Sequence, residues 1–290
     1  MITTTAPRHA LTTTALLLTV TAALPVGALA QDAGFAWVNA TELSFVSTAG
    51  NASSSTLGLK SSLTGTSGAN SFKIELGGIR GETNVTTRTA TGTPGDFTVS
   101  EATTSQLTAE SYFARGRYDR AFTEAYAFSG GGWERNTFAG IQNRYAGVAG
   151  LGRTWVEGEA GRFKTDVGAT YTIQKDVDPA PGADDAFGGV RLSIDATRRV
   201  SSNVDYASML LVDENLEDRD DLRADWTNSV SVALSGALAF KTSLQLLFDN
   251  QPALIAVPLV DAGGIPTGAD VLAPGDEVDK VLTVALVIRL

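Results

Sequence analysis

Apolar and polar residues alternate one by one along most of this chain. The clearest stretch is Arg162 to Gln174. Phe163, Thr165, Val167, Ala169, Tyr171 and Ile173 fall on one side of an extended backbone, and Arg162, Lys164, Asp166, Gly168, Thr170, Thr172 and Gln174 on the other. A strict period of two marks a strand with one greasy and one wet face. The last residues repeat it: Leu282, Val284, Leu286, Ile288 and Leu290 oppose Val281, Thr283, Ala285, Val287 and Arg289. No stretch keeps helical spacing over several turns. A soluble sandwich would show the same period with its apolar face inward. Two features favour lipid. The alternating segments reach the ~9–11 residues that cross a bilayer rather than the ~5–6 of an ordinary strand. Their polar face also carries ions of both signs, as a small water-filled or ion-paired lumen requires.

Followed from Trp37 to Leu290, the pattern predicts an all-β chain: a transmembrane, antiparallel, up-and-down β-barrel of about twelve strands. The strands fall at about Trp37–Ser47, Thr56–Leu63, Phe72–Glu82, Ser105–Tyr118, Ala121–Trp133, Gln142–Trp155 and Arg162–Gln174. The eighth carries Val190, Leu192 and Ile194, the ninth runs Val204–Val212, the tenth carries Trp226, Val230, Val232 and Leu234, the eleventh Phe240, Leu244, Leu246 and Phe248, and Lys280–Leu290 closes the barrel against the first strand. Turns near Gly65, Asp119-Arg120, Gly158, Ser201 and Gly236 are short. Thr83–Glu101, Asp176–Ala186, Asp213–Asp221 and Gln251–Glu277 are longer and read as loops without apolar period. Ala49-Gly50-Asn51 and the connection near Asn136 are short exceptions. Short periplasmic turns alternating with long outer loops is the habit of outer-membrane barrels. The facing of the fourth and fifth strands stays open, because Tyr112 and Phe113 fall on opposite sides.

Composition narrows the chemistry. At 43% hydrophobic the chain is too polar for a helical membrane bundle, and it has no Cys, so neither disulfides nor thiolate metal sites are available. A formal charge of -10 argues against nucleic acid as a partner. Residues 1–30 read as a signal peptide: Arg8, an Ala/Leu/Thr/Val core from Ala10 to Leu24, and Ala28-Leu29-Ala30 before Gln31. The barrel then occupies residues 31–290. The one His, His9, leaves with the signal, which excludes Ser-His-acid and Cys-His mechanisms in the mature chain. Glu110, Glu124 and Glu134 lie on or beside strands four and five, but nothing aims two of them at a substrate. No catalytic residue, no metal ligand and no cofactor is predicted, and the protein is not expected to be an enzyme.

The candidate functional feature is the lumen. Arg162, Lys164, Asp166, Arg191, Asp195, Arg223 and Asp225 all fall on the polar side of their strands. They form either a selectivity ring or a set of pairs that fill a narrow barrel and neutralise one another. Arg162, Asp166, Arg191 and Asp195, on neighbouring strands, are the candidate cluster. The outer loops are acidic, notably Asp213, Glu214, Glu217, Asp218, Asp220 and Asp221. They present either a solvated face or oxygen ligands for Ca²⁺ or Mg²⁺ bridging lipopolysaccharide phosphates. Trp37, Trp133 and Trp155 near strand ends suit an interfacial girdle.

The stretch Ala114-Arg115-Gly116-Arg117-Tyr118-Asp119-Arg120-Ala121-Phe122 resembles the Tyr-Asp turn between two central strands of the YdiY-like salt-induced outer membrane proteins. Glu134-Arg135-Asn136-Thr137-Phe138-Ala139-Gly140-Ile141, then Asn143-Arg144 and Gly150-Leu151-Gly152, resembles the segment that follows it there. The resemblance is best over Tyr112 to Tyr171. It implies an outer-membrane barrel of uncertain function and assigns no site. One departure is the last residue, Leu290, where barrels commonly carry an aromatic read by the assembly machinery.

These readings lead to a monomeric barrel in a Gram-negative outer membrane. Its partners are lipid, lipopolysaccharide, the barrel-assembly machinery and divalent cations at the acidic loops. Its role is a narrow pore or an envelope- or salt-stress barrel. The alternative is a plugged structural or adhesion barrel whose acidic loops bind cations.

Overall fold

The computed structural model describes residues 34–48, 52–93, 96–179 and 185–289. The predicted signal segment and its predicted cleavage position, the turn at Ala49-Gly50-Asn51 and the last residue, Leu290, lie outside them. The strands in chain order are β1 (Ala36–Thr48), β2 (Ala52–Ser67), β3 (Asn70–Thr93), β4 (Asp96–Ala121), β5 (Ala125–Asn136), β6 (Ile141–Gly158) and β7 (Gly161–Asp176). They continue as β8 (Ala186–Arg199), β9 (Val204–Asn215), β10 (Leu222–Ala233), β11 (Leu238–Asp249), β12 (Leu254–Val260), β13 (Pro266–Pro274) and β14 (Val278–Arg289).

Twelve of these form a closed barrel in the order β1-β14-β11-β10-β9-β8-β7-β6-β5-β4-β3-β2, and β12 and β13 form a separate two-stranded ribbon. Closure runs through the last strand: Ala40 opposes Arg289 and Leu43 opposes Leu286. Every wall strand therefore has a neighbour on each side, and the ladder leaves no edge to face hydrocarbon.

The two faces separate as the alternation requires. On β14, Leu282 is 70% exposed on the outside, whereas Ala285 is 4% exposed on the inside. Phe45, Leu57, Leu151, Val167, Tyr171, Trp226, Val230 and Phe240 are likewise exposed on the outside. In water such a surface would aggregate, and in a bilayer it is the lipid contact. The facing of β4 and β5 is settled by what their side chains touch. Phe113, Arg115, Arg117 and Asp119 turn inward, while Tyr118 turns outward, where its ring lies 5.5 Å from that of Phe72 and its hydroxyl donates to Asn70 Oδ1 at 2.7 Å. Trp37 and Trp155 sit near the short-turn end, Trp155 donating to Thr165 Oγ1 at 2.8 Å.

Three details differ from the sequence pattern. Thr83–Glu101 is not a loop: Thr86 opposes Thr103 and Thr93 opposes Asp96, so β3 and β4 continue as one long hairpin. The pairing of β2 with β3 ends at Ala52 and Val85, and β5 joins β4 only from Ser111 onward. The hairpin thus stands clear of the wall with both faces wet, and the apolar half of the period disappears. Asp119 and Arg120 are not the turn. They stay paired with Phe128 and Ala127, and the chain reverses at Phe122–Glu124, where Phe122 N–H bonds to Ala125 O at 2.8 Å. Gln251–Glu277 carries the β12–β13 ribbon, whose Pro258, Pro266 and Pro274 are tolerated because a two-stranded ribbon is all edge.

A cation placed on the lipid face tests the assignment of faces. Val284→Arg, near mid-strand on the outside of β14, is expected to cost about 2–4 kcal/mol of folding stability in lipid. Thr283→Arg, one residue away on the inside, should cost distinctly less. Reversible denaturant unfolding in bilayers reads both, and equal losses would contradict the facing.

Candidate functional site

The lumen is crossed by side chains that join strands far apart on the wall. Arg117 on β4 donates from Nη2 to Asp166 Oδ2 on β7 at 2.7 Å and from Nε to Asp119 Oδ1 at 2.8 Å. Two strands, β5 and β6, lie between them on the wall, so this contact is a chord through the interior. Tyr126 on β5 donates its hydroxyl to the same Asp166 oxygen at 3.0 Å. The Arg117 guanidinium lies 4.0 Å above the ring of Phe128, and Lys164 Nζ lies 5.3 Å from that of Tyr126. Asp166 is 7% exposed, and such a carboxylate is tolerated only with charged and hydrogen-bonding partners. The glycines of β6 make room for this cluster. A side chain at Gly152 would collide with the Tyr126 ring, so a ring flat against the wall requires the missing Cβ.

Nearer the long loops a second network runs from β4 to β10. Arg115 and Arg144 donate to the two oxygens of Glu134 at 3.1 and 2.9 Å. Arg144 also donates to Gln174 Oε1 at 2.6 Å, and Arg223 reaches the same oxygen at 3.2 Å from across β8 and β9. Arg223 is held in turn by Asp221 at 2.8 Å and lies 4.9 Å from the Phe187 ring. Beside this network Arg191 clasps Asp213 through both carboxylate oxygens, at 2.7 and 2.8 Å.

The far wall is more open. Lys241 donates to Glu42 at 2.7 Å across β14, and Glu75 is shared by Lys73 at 3.1 Å and Lys60 at 3.6 Å. Next to β11, the inner face of β9 and β10 carries Met209, Thr227 and Ser229. Met209 is 39% exposed although it points inward, so open space remains beside the chords.

The residues singled out from the sequence do not make one cluster. Arg162 and Asp195 pair at 2.8 Å. Asp166 is taken by Arg117, Arg191 by Asp213, and Lys164 lies over Tyr126. Arg223 joins the upper network, and Asp225 accepts from Gln245 at 2.9 Å and Thr227 at 3.2 Å. Arg115, Arg117 and Tyr126 escape the sequence pattern, and Glu134 enters it only as a candidate catalytic carboxylate, because all four sit on the two strands whose facing the sequence leaves open. The available signal was the spacing Phe113, Arg115, Arg117, Asp119, which is a polar stripe of period two once Phe113 is allowed inside.

The three carboxylates weighed for catalysis point to different places. Glu110 faces outward between Arg80 and Arg135, each at 3.8 Å. Glu124 pairs with Arg153 at 2.6 Å at the short-turn end, and Glu134 lies in the lumen. Among the described residues no three His, Cys, Asp or Glu are grouped to hold a metal ion. Acidic side chains of the β9–β10 loop engage its own and neighbouring backbone. Asp218 Oδ1 accepts from Asp220 N–H at 3.1 Å, and Glu217 Oε1 from Gly188 N–H at 3.0 Å.

A closed wall that is apolar outside and ion-paired inside defines a transmembrane β-barrel of the outer-membrane type. A family model described as "Protein of unknown function, DUF481" matches residues 41–254, and the chain belongs to that family, which includes YdiY. No curated protein matches it. Solved structures similar to it include the NanC porin (10% identity, TM-score 0.45, covering 87% of this chain and 98% of that one). An anion-selective porin from Comamonas acidovorans has 11% identity and a TM-score of 0.37, covering 88% and 99%. The translocator domain of the autotransporter NalP from Neisseria meningitidis has 11% identity and a TM-score of 0.41, covering 91% of each chain. These are likenesses between barrels and assign this chain no solute.

The Arg117–Asp166 chord has a thermodynamic signature. Arg117→Ala leaves a nearly buried carboxylate without its cation and is expected to cost about 3–5 kcal/mol. Arg117→Met combined with Asp166→Leu removes both charges and should recover most of that loss. A double-mutant cycle by unfolding in lipid measures it, and additive effects would show that the two groups are not coupled.

Proposed function

We propose that this protein is a narrow channel of the Gram-negative outer membrane, passing small hydrophilic solutes or ions along its lumen without catalysing a reaction. The observation that carries this reading is the lumen itself: charges of both signs line it from end to end, and inward-facing Met209 keeps 39% of its surface open. A barrel built only as a scaffold would be filled more cheaply by apolar side chains, since buried ion pairs are seldom better than neutral for stability. The even strand number and the alternation of short turns with long loops support placement in the outer membrane with the long loops outward. Lipid and lipopolysaccharide are then its lateral partners, and one closed chain is sufficient for the pathway. The chords that cross the interior favour a second reading, a plugged structural barrel whose acidic loops bind divalent cations. The two readings divide on one question: whether the chords leave a continuous path beside them. A role in salt stress fits a lumen held by ion pairs, whose exposed members weaken as ionic strength rises.

Conductance across planar bilayers decides between the readings. The purified barrel is expected to give small, discrete steps, and Arg117→Ala with Asp166→Ala, which removes the lower chord, should enlarge them. Silence from both the parent barrel and this variant, with intact folding, would sink the channel reading and leave the plugged barrel.

A further inference from the structure

The long-loop mouth is crossed by the chain that connects β11 to β14. β11 and β5 are six places apart on a ring of twelve strands, which makes them opposite walls. Asp249 ends β11, yet Ala253, four residues on, packs against Gly140 in the β5–β6 connection, so closely that any side chain at Gly140 would strike it. Four extended residues reach at most about 13–14 Å, less than the width of a twelve-strand barrel, so the chain leaving β11 and the β5–β6 connection approach one another from opposite sides and meet over the lumen. The return path is tied to the outward one: Gly275 N–H bonds to Ala253 O at 3.2 Å, and Leu254 opposes Pro274 at the root of the β12–β13 ribbon.

Both ends of this crossing are fastened. At the β11 side Asn250 makes two bonds with Leu222: its N–H donates to Leu222 O at 3.2 Å, and its Oδ1 accepts from Leu222 N–H at 2.6 Å. Gln251 Nε2 donates to Asp218 Oδ2 at 3.1 Å. At the far side Gly140 O accepts from Val177 N–H at 2.8 Å, joining the β7–β8 connection to the contact. The wall does not need the crossing. β11 and β14 are already neighbours, and Asp249 N–H bonds directly to Glu277 O at 3.0 Å. A short hairpin turn would join them, so the extra chain has another use.

We infer that residues 250–254, with the returning 274–276, form a strap across the long-loop mouth, and that it controls entry to the lumen from that side. The inference builds on the channel reading above, but the strap can be tested without any current. Its fastenings are hydrogen bonds from the root of β10 and the acidic β9–β10 loop at the β11 side and the packing of Ala253 on Gly140 at the far side, so loosening the first adds play at the hinge and parting the second lets the ribbon leave the mouth while the wall stays closed.

The chain has no Cys, so single engineered thiols report alone. Val281→Cys places one on the inner face of β14 beneath the strap, and Thr64→Cys places one on the inner face of β2 near the short-turn end. Each is introduced into the full chain and into a chain in which residues 252–275 are replaced by one Gly. A charged maleimide is then reacted with barrels in lipid nanodiscs. Removing the strap is expected to speed labelling at Val281→Cys tenfold or more and to leave Thr64→Cys unchanged. Asn250→Ala with Gln251→Ala, which only loosens the β11 fastening, should give an intermediate rate. Equal rates at Val281→Cys overturn the strap, and so does a parallel rise at both sites, which reports general loosening. If labelling behaves as expected but neither chain conducts, the strap stands and the channel reading falls.

Discussion

Hydrocarbon offers no hydrogen-bond partner, so every backbone N–H and C=O inside it must be satisfied by the chain itself. The whole architecture follows from this one constraint. β14 must return to β1, which it does through Ala40 opposite Arg289 and Leu43 opposite Leu286. The wall must be continuous, so the two elements that are not part of it lie where water or other loops can serve their edges: the outer half of the β3–β4 hairpin and the β12–β13 ribbon. Closure also fixes the side-chain period. With lipid on one side and lumen on the other, a slip of one residue on any strand would bring its charges into hydrocarbon.

The same closure explains why the interior is ionic and why its contacts run as chords. A lumen narrow enough for Arg117 on β4 to reach Asp166 on β7 brings charges close to low-dielectric walls, where unpaired ions are costly. Long cationic side chains solve this by crossing the lumen instead of lying along it. Arg is the suited residue, because its planar fork binds two acceptors at once, as Arg117 does with Asp119 and Asp166 and as Arg144 does with Glu134 and Gln174. The aromatic rings of Tyr126 and Phe128 give the Arg117 guanidinium a second surface to lie on. Glycines behind the rings, on β6 and β7, make the thin wall that this arrangement needs.

The wall was legible in the sequence because alternation is a local property. Phe163 to Ile173 declares its face within a dozen residues, and so does Leu282 to Ile288. Legibility failed wherever the environment ceased to be two-sided. Thr83 to Glu101 pairs as strand but meets water on both faces, so its Thr-rich sequence carries no period. Pro and Gly in Gln251 to Glu277 advertise a loop and conceal a ribbon. The charged residues of the lumen were legible as a set but not as pairs. Which of them meet depends on the shear of the barrel, which brings Arg117 level with Asp166 three strands away. No spacing along one strand encodes that distance. Tyr112 and Phe113 left the facing of β4 open for the same reason: both are apolar enough for lipid, and only Phe113, beneath Arg115 at 4.8 Å, is placed by a lumen partner.

Division of labour between wall and interior follows from these contacts. The wall is held by ladders of backbone hydrogen bonds that cannot open in lipid without losing partners. The lumen is held by side-chain contacts whose alternative partners are nearby and, in many cases, hydrated. Gln174 already accepts from two arginines, and Glu75 is shared by two lysines. In such sets a carboxylate or amide can exchange one cation for another at little cost, because charge is conserved within the set. Exchange within such sets leaves the ladder untouched, and the segment over the long-loop end lies outside the ladder altogether. A barrel of this kind is held rigidly at its wall and more loosely in its interior, since the two rest on different bonds.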